Sequence, residues 1–191
     1  CSQGGAVNIV AHEDDDLLFL NPDILNDIKS RKCVTTIYVT AGDANFGSNY
    51  WNGREDGVRA AYALMAGVTN NWRRTDAGIQ NRPIPIYSLR SNSSVALIFM
   101  RLPDGNWDGS GFSGNDYESL KKLWQGNIQS VKAVDGTSTY KREDLVSTLL
   151  TIISNLRPEK IRTQNYVDAY SSADHSDHSA VAYAALSLIH I

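Results

Sequence analysis

The chain has 191 residues, of which 42% are hydrophobic and 20% are charged. That length is enough to bury one sizeable core, so we expect a single domain over residues 1–191. The formal net charge is −3 and no long basic run occurs, which excludes the electrostatic footprint of a nucleic-acid or anionic-membrane partner. No stretch reaches the roughly 18 uninterrupted apolar residues that span a bilayer. The sequence leaves the oligomeric state open.

The two cysteines, Cys1 and Cys33, each come shortly before an apolar run that is typical of a strand. If these strands are parallel neighbours, both cysteines lie at the same edge of the sheet, where a disulfide would close a long loop. Two unpaired thiols and a lipidated Cys1 are the alternatives. The chain opens without Met or a basic segment, so we expect a secreted or extracytoplasmic protein whose signal peptide has been removed.

Predicted strands and helices alternate along the chain. Apolar runs and helical spacings of apolar residues indicate the elements, and Gly67 and Pro158 mark two helix ends. In chain order they are a strand over 6–11, a helix around 24–28, a strand over 34–40, a helix over 54–66, strands near 84–88 and 95–101, a helix near 116–124, a helix around 145–156, a strand over 160–164 and a last helix around 181–188.

This alternation predicts an α/β fold, a three-layer Rossmann-like sandwich with a mostly parallel sheet and helices on both faces. Ligands of such sheets bind at the carboxyl ends of the strands. That rule selects four segments, and they are also where unusual polar residues collect: residues 12–16, Asp43 and its loop, residues 102–107, and the segment that follows the strand over 160–164.

Two of these segments contain three of the four histidines. His12 precedes four consecutive acids, and His175 and His178 stand just before the last helix. One histidine and one carboxylate from the first segment, with one histidine from the second, make a three-ligand set of the kind that catalytic zinc uses, with a fourth position open to water. Iron, cobalt or nickel would accept the same ligands. Taken singly, an acid run is more often a solvated face or a helix N-terminus, so the prediction depends on the two segments meeting.

The sequence resembles the N-acetylglucosaminyl-phosphatidylinositol de-N-acetylase family, also called PIG-L or LmbE-like. The family's first motif, Ala-His-Pro-Asp-Asp-Glu, is similar to residues 11–16, and its later motif, His-Pro-Asp-His, is similar to residues 175–178. Segments 40–43, 54–55, 102–106 and 157–158 are also similar. Here Glu13 replaces the motif proline and Asp16 replaces its glutamate, and neither change removes an essential group.

The resemblance implies a zinc-dependent de-N-acetylase that hydrolyses the acetamide of an N-acetylated sugar to an amino sugar and acetate. It implies one Zn²⁺ per chain, held by His12, Asp15 and His178. Asp14 matches the general base, and His175 matches the residue that stabilises or protonates the tetrahedral intermediate. Asp177 would orient His175.

Further residues are candidates for contact with the sugar. Arg54 resembles a family position that holds substrate oxygens, although it could instead pair with a neighbouring acid. Asp104 lies in a Pro-Asp-Gly segment, where plain turn chemistry is the alternative. Asp43 follows the second strand. Aromatic side chains that interleave with Asn, Gly and Ser could stack on pyranose rings, above all Trp51 and Trp107.

Two other functions fit the same residues. A zinc amidase could act on a non-sugar amide such as a thiol conjugate, because the motifs describe the amide and not the sugar. A catalytically silent carbohydrate-binding module would keep the scaffold but would not need the base Asp14. A nucleotide-binding Rossmann domain is disfavoured, because acids follow the first strand where phosphate recognition requires glycines.

Overall fold

The computed structural model of the chain describes residues 5–170 and 173–188. Its elements alternate in the order that the sequence predicts. They are β1 (Ala6–Val10), α1 (Asp15–Phe19), α2 (Asp23–Lys29), β2 (Val34–Thr40), α3 (Ser48–Met65), β3 (Trp72–Asp76), β4 (Pro85–Leu89), β5 (Val95–Leu102), a 3₁₀ turn (Ser113–Asn115), α4 (Leu120–Trp124), β6 (Val131–Lys132), β7 (Thr139–Tyr140), α5 (Arg142–Leu156), β8 (Lys160–Thr163) and α6 (Ser176–Ser187).

Six strands form one sheet in the order β3-β4-β5-β2-β1-β8. The pairs β5·β2, β2·β1 and β1·β8 are parallel, and β3·β4 and β4·β5 are antiparallel. The sheet is therefore mostly parallel, and the predicted Rossmann-like fold class is confirmed. Strands β6 and β7 form a separate small hairpin.

The hydrophobic core lies on both faces of the sheet, and the strand register shows which side chains belong to each face. Ile9 lies beside Ile37, which lies beside Ile98, and all three pack in the cluster that includes apolar residues of α5 and α6. One residue further along, Val10 and Tyr38 point to the opposite face, where α2 and α3 pack. Because both faces are covered, the central strands are buried along their whole length, as in other parallel sheets.

Several elements differ from the sequence-based expectation, which also did not include the short strands β6 and β7. Strand β3 was not predicted because, apart from Trp72, it is polar; it forms the charged outer edge of the sheet, which discourages pairing with another chain. Helix α3 begins at Ser48, well before the expected start at Arg54. The helix expected near 116–124 is reduced to a 3₁₀ turn and the five residues of α4.

The carboxyl ends of β1, β2, β5 and β8 lie side by side, because these four strands are parallel and adjacent. Each is followed by one of the four polar segments that the sequence selected. No helix within the described residues is long and apolar enough to cross a membrane. The proposed Cys1–Cys33 disulfide involves Cys1, which lies outside the described residues.

Candidate metal centre and active site

Three side chains converge at the carboxyl end of β1: His12 from the loop after that strand, Asp15 from the start of α1 and His178 from the first turn of α6. Asp15 is the central residue: its Oδ2 lies 3.4 Å from His12 Nδ1, and its Oδ1 lies 3.0 Å from His178 Nε2. One ligand atom from each residue falls within 4.8 Å of the others, and all three side chains are largely buried. Two imidazoles and one carboxylate are the donor types of a catalytic zinc site. The set therefore fits a divalent metal ion.

The ring nitrogens of His12 and His178 that face away from Asp15 each meet a carboxylate. His12 Nε2 lies 3.2 Å from Asp177 Oδ2, and His178 Nδ1 lies 2.8 Å from Asp174 Oδ1. A carboxylate at that position keeps the proton on the distal nitrogen, which leaves the lone pair of the other nitrogen directed at a metal. Both histidines are thus oriented with their proximal nitrogens towards Asp15.

The electrostatics of these three residues favour positive charge at the centre. Burial opposes a charged His12, but hydrogen bonds with Asp15 and Asp177 outweigh it and raise the pKa of that imidazole. Burial likewise opposes ionisation of Asp15, yet hydrogen bonds from His12 and His178 lower its pKa well below the usual range. Both shifts favour a positive charge beside the Asp15 carboxylate, and a bound cation would supply such a charge.

A second group of side chains adjoins the first through His12. His12, Asp104, His175 and Asp177 also offer one ligand atom each within 4.8 Å. Asp177 is fully buried, and its Oδ2 accepts from Gly105 N at 2.9 Å and lies 3.2 Å from His12 Nε2, but 3.8 Å from His175 Nδ1. The Asp177 carboxylate therefore orients His12 more directly than His175, the residue that the resemblance assigned to it.

The orientation of the His175 ring is set by a hydrogen bond from a nearby backbone amide. It precedes α6, and its Nδ1 accepts a hydrogen bond from Asp177 N. Nδ1 must be unprotonated for that bond, so the neutral ring carries its proton on Nε2, which lies 3.6 Å from Asp104 Oδ1. Burial lowers the pKa of His175, and burial together with the charge of Asp177 raises the pKa of Asp104. The site thus presents an Nε2–H donor beside a carboxyl group.

Asp14 is the exposed acid of the first segment. Its side chain is 56% exposed, and its Oδ1 accepts a hydrogen bond of 2.8 Å from Arg54 Nη2. Arg54 also donates from Nε to Oε2 of the buried Glu13, at 3.0 Å. Burial raises the pKa of Glu13 to about 8, and the Arg54 guanidinium opposes that rise. Arg54 therefore bridges two consecutive acids beside the metal centre.

The predicted sugar contacts fall into two groups. Arg54, Asp104 and Trp107 line the cavity above the metal centre, and Trp107 is 58% exposed. Asp43 is buried, and its Oδ1 accepts from Asp104 N at 2.9 Å, so it supports the loop that carries Asp104. Trp51 is not at the cavity: it is 6% exposed, with Arg101 packed over its ring at 4.7 Å, because α3 begins earlier than expected and turns this side chain inwards.

The cavity itself is open and has a volume of about 310 Å³, which lies within the range of small-molecule sites, roughly 300–1,000 Å³. All three candidate metal ligands line it, together with His175 and Asp14. Leu18 and Phe19 form an apolar part of the rim; they are 68% and 61% exposed. A metal, a carboxylate and an imidazole N–H can therefore reach the same bound molecule.

Two residues of the site were not predicted to act there. The only signal for Asp174 in the sequence is its position four residues before His178. Within a helix that spacing brings two side chains together, and here Asp174 lies just before the start of α6 while His178 lies in its first turn. In the sequence Glu13 stands out only as a replacement for the motif proline. For Glu13 no pattern in the sequence reveals that its partner is Arg54, 41 residues away.

The family comparison agrees with this geometry. The model of the PIG-L family, described as GlcNAc-PI de-N-acetylase, matches residues 7–189. Since the match covers nearly the whole chain, the chain belongs to the PIG-L family. Members of the family are metal-dependent deacetylases that act on N-acetylated sugars, which supports an enzyme with a metal site. No curated protein and no solved structure gave a significant match.

Proposed function

We propose that the protein is a zinc-dependent de-N-acetylase, which hydrolyses the acetamide of an N-acetylglucosamine-type sugar to an amino sugar and acetate. The observation that carries the proposal is the convergence of His12, Asp15 and His178 on one point, with Asp14 beside them and an open cavity above. A pure binding module would not need this combination of metal ligands and an adjacent base. The family to which the chain belongs supports the reaction class.

A bound Zn²⁺ would polarise the amide carbonyl and lower the pKa of water to about 7. His12 Nδ1, a carboxylate oxygen of Asp15 and His178 Nε2 would hold it. The carboxylates of Asp177 and Asp174 keep the two imidazoles in the tautomers that bind a metal.

Asp14 serves as the general base in this proposal. Its carboxylate is exposed to the cavity and is separate from the metal ligands, so one oxygen is free to take a proton from the attacking water. Arg54 holds the other oxygen at 2.8 Å, which fixes the direction of the carboxylate. Positioning of this kind matters because proton transfer requires a contact of about 2.6–3.2 Å.

His175 stabilises the tetrahedral oxyanion. Its Nε2–H is directed into the site, since its Nδ1 accepts from the backbone of Asp177. A preorganised donor at the developing negative charge lowers the barrier by an amount comparable to other oxyanion donors, about 2.7–4 kcal/mol. The proton that Asp14 has taken can then pass to the leaving nitrogen, so that the amine and acetate depart.

The rim of the cavity supports a sugar as the substrate. Asp104 and Arg54 offer an acceptor and donors for hydroxyl groups, and Trp107 offers an exposed aromatic face. A carbohydrate ring presents both hydroxyls and an apolar C–H face, so it matches this mixture of polar and aromatic groups.

The test combines metal analysis with acetate release. The purified protein is expected to contain about one zinc per chain and to release acetate from N-acetylglucosamine or its short β-linked oligomers, but not from acetylated amines that lack the sugar. Asp14→Asn is expected to lower kcat by at least about 10²-fold, the size of a general-base contribution, with metal content retained. Asp116→Asn, at an exposed aspartate in a turn, is the matched control.

Three results would contradict the proposal. They are a protein that binds no divalent metal, full activity in Asp14→Asn, and turnover only on non-sugar amides. Metal and sugar binding without turnover of any amide would instead favour the silent binding module.

A further inference from the structure

Glu13 is a buried acid that the reaction described above does not use. It lies between the metal ligand His12 and the base Asp14, its side chain is 2% exposed, and neither metal-holding group within the described residues includes it. An acid is rarely buried without a specific partner, because desolvation disfavours its charge. Its partner is the Nε–H of Arg54, at 3.0 Å.

The contact between Glu13 and Arg54 is closely packed. Gly42, in the loop after β2, has a φ of +49°, and a Cβ atom at this position would lie 2.9 Å from both Glu13 Oε2 and Arg54 Nε. The loop backbone thus lies against the Glu13–Arg54 contact, and an added Cβ would require one of these two side chains to shift. The next residue of α3, Glu55, is held by two hydrogen bonds from Arg101, at 2.7 and 3.0 Å, so the helix that carries Arg54 is also fixed.

Because a guanidinium group is planar, the contact between Glu13 and Arg54 Nε also affects the position of Asp14. Nε and both Nη atoms lie in one rigid plane. Fixing Nε against Glu13 therefore fixes the direction of Nη2, which donates to Asp14 Oδ1 at 2.8 Å. The Asp14 side chain is 56% exposed, so burial does little to hold it in place.

We propose that Glu13 is a positioning residue: it holds Arg54 in the orientation in which Nη2 directs the Asp14 carboxylate at the water that attacks the amide. The inference rests on the proposed function. Glu13 acts through Arg54 and does not touch the substrate. In this chain, a residue that replaces the motif proline thus adds a side-chain support for the base, in place of the fixed φ that proline would give to the loop.

Kinetics separate positioning from substrate binding and from mere stability. In Glu13→Leu, which removes the acceptor, kcat is expected to fall about 10- to 100-fold, as for a base displaced by about an ångström, with KM changed less than about twofold and zinc content unchanged. Glu13→Gln keeps a carbonyl oxygen for Arg54 Nε and is expected to restore kcat to within about threefold of wild type. Glu159→Leu, at an exposed glutamate before β8, is the matched control for the change of residue type.

A double-mutant cycle tests whether Glu13 acts through Arg54. Arg54→Lys loses the planar fork, so adding Glu13→Leu to it is expected to lower kcat no further. Fully additive losses, or a Glu13→Leu variant with wild-type kcat, would overturn the proposal. So would a defect that is entirely explained by lost zinc, since the role would then be support of the ligand loop.

The exchange of the Arg54 Nε–H proton with solvent, followed by NMR, gives a readout that does not require activity. The proton is expected to be protected in wild type and Glu13→Gln and unprotected in Glu13→Leu. Equal protection in all three would overturn the inference. If wild type releases acetate from no N-acetylated sugar, the proposed function fails, and the reaction role of Glu13 fails with it. The exchange measurement would then still report separately whether Glu13 holds Arg54.

Discussion

The carboxylate of Asp177 is expected to set the metal affinity of the site without binding the metal. It is fully buried, and one oxygen, Oδ2, lies 3.2 Å from His12 Nε2 and accepts from Gly105 N at 2.9 Å. The other oxygen, Oδ1, lies close to Gly105, where a Cβ would be 2.5 Å away. In Asp177→Asn the amide oxygen can occupy the Oδ2 position, so the substitution removes the charge and keeps the acceptor for Gly105 N and His12.

The magnitude follows from the kind of hydrogen bond that is lost. A hydrogen bond to a charged group contributes about 1.5–3 kcal/mol and one between neutral groups about 0.5–1.5 kcal/mol, a difference of about 1–1.5 kcal/mol. Since 1.4 kcal/mol corresponds to a factor of ten, we expect Asp177→Asn to weaken zinc binding about tenfold. That value lies at the lower end of the 10- to 100-fold effect typical of carboxylates that support a ligand histidine.

The measurement is the Kd for zinc, obtained by competition with a chelator of known affinity at constant pH. Asp116→Asn is again the control, because asparagine tolerates the left-handed φ of 51° at that exposed position. An unchanged Kd in a folded Asp177→Asn protein would refute the orientation of His12 by Asp177. A loss greater than about 10³-fold would also refute it, because an effect of that size exceeds the range for a supporting carboxylate and indicates a direct ligand.

Three further predictions concern stability. Gly42→Ala is expected to lower the free energy of unfolding by about 1–2 kcal/mol, because an alanine is strained at φ +49°; urea titration measures it, and a neutral effect would contradict the left-handed backbone conformation of Gly42. Tyr62→Phe removes a donor from the buried Asp16 carboxylate and is expected to cost about 1–3 kcal/mol in the same assay; no loss would show that water replaces the hydroxyl. Asp27 has a lowered pKa: burial opposes its ionisation, but Arg162 and Lys32 outweigh it. The ionised Asp27 carboxylate therefore stabilises the folded protein at pH values above the ordinary Asp pKa of about 4. This stabilisation is lost as the pH falls through the lower pKa that Asp27 has in the folded protein. Wild type and Asp27→Asn should differ in melting temperature at pH 7 and converge in acid, and a difference that persists in acid would rule out a charge effect.

The order of elements and the location of the site could be predicted from the sequence. Apolar runs such as residues 34–40 are buried on both faces of the sheet, so their composition alone indicates a central parallel strand. The carboxyl-end rule then places His12 and His178 at one edge although they are 166 positions apart. Elements whose structure depends on neighbours were less predictable: β3 exists because it pairs with β4, and its own residues are mostly polar.

Tertiary structure decided which acid meets which partner. The run from Glu13 to Asp16 contains four consecutive carboxylates, and their residue types alone do not distinguish their surroundings. In the fold, Asp15 lies between two imidazoles, Asp14 reaches the cavity, Glu13 pairs with Arg54, and Asp16 accepts from buried tyrosines on β2 and α3.

These four environments arise because the chain turns from β1 into α1 at this point, so successive side chains point in different directions towards different elements. The residue types predicted a metal site, since imidazole and carboxylate are ligands that zinc and similar divalent ions accept. The resemblance distinguished the ligand Asp15 from the base Asp14, but only the tertiary structure showed their supporting partners, because hydrogen-bond partners that are 41 or 165 residues apart leave no local pattern in the sequence.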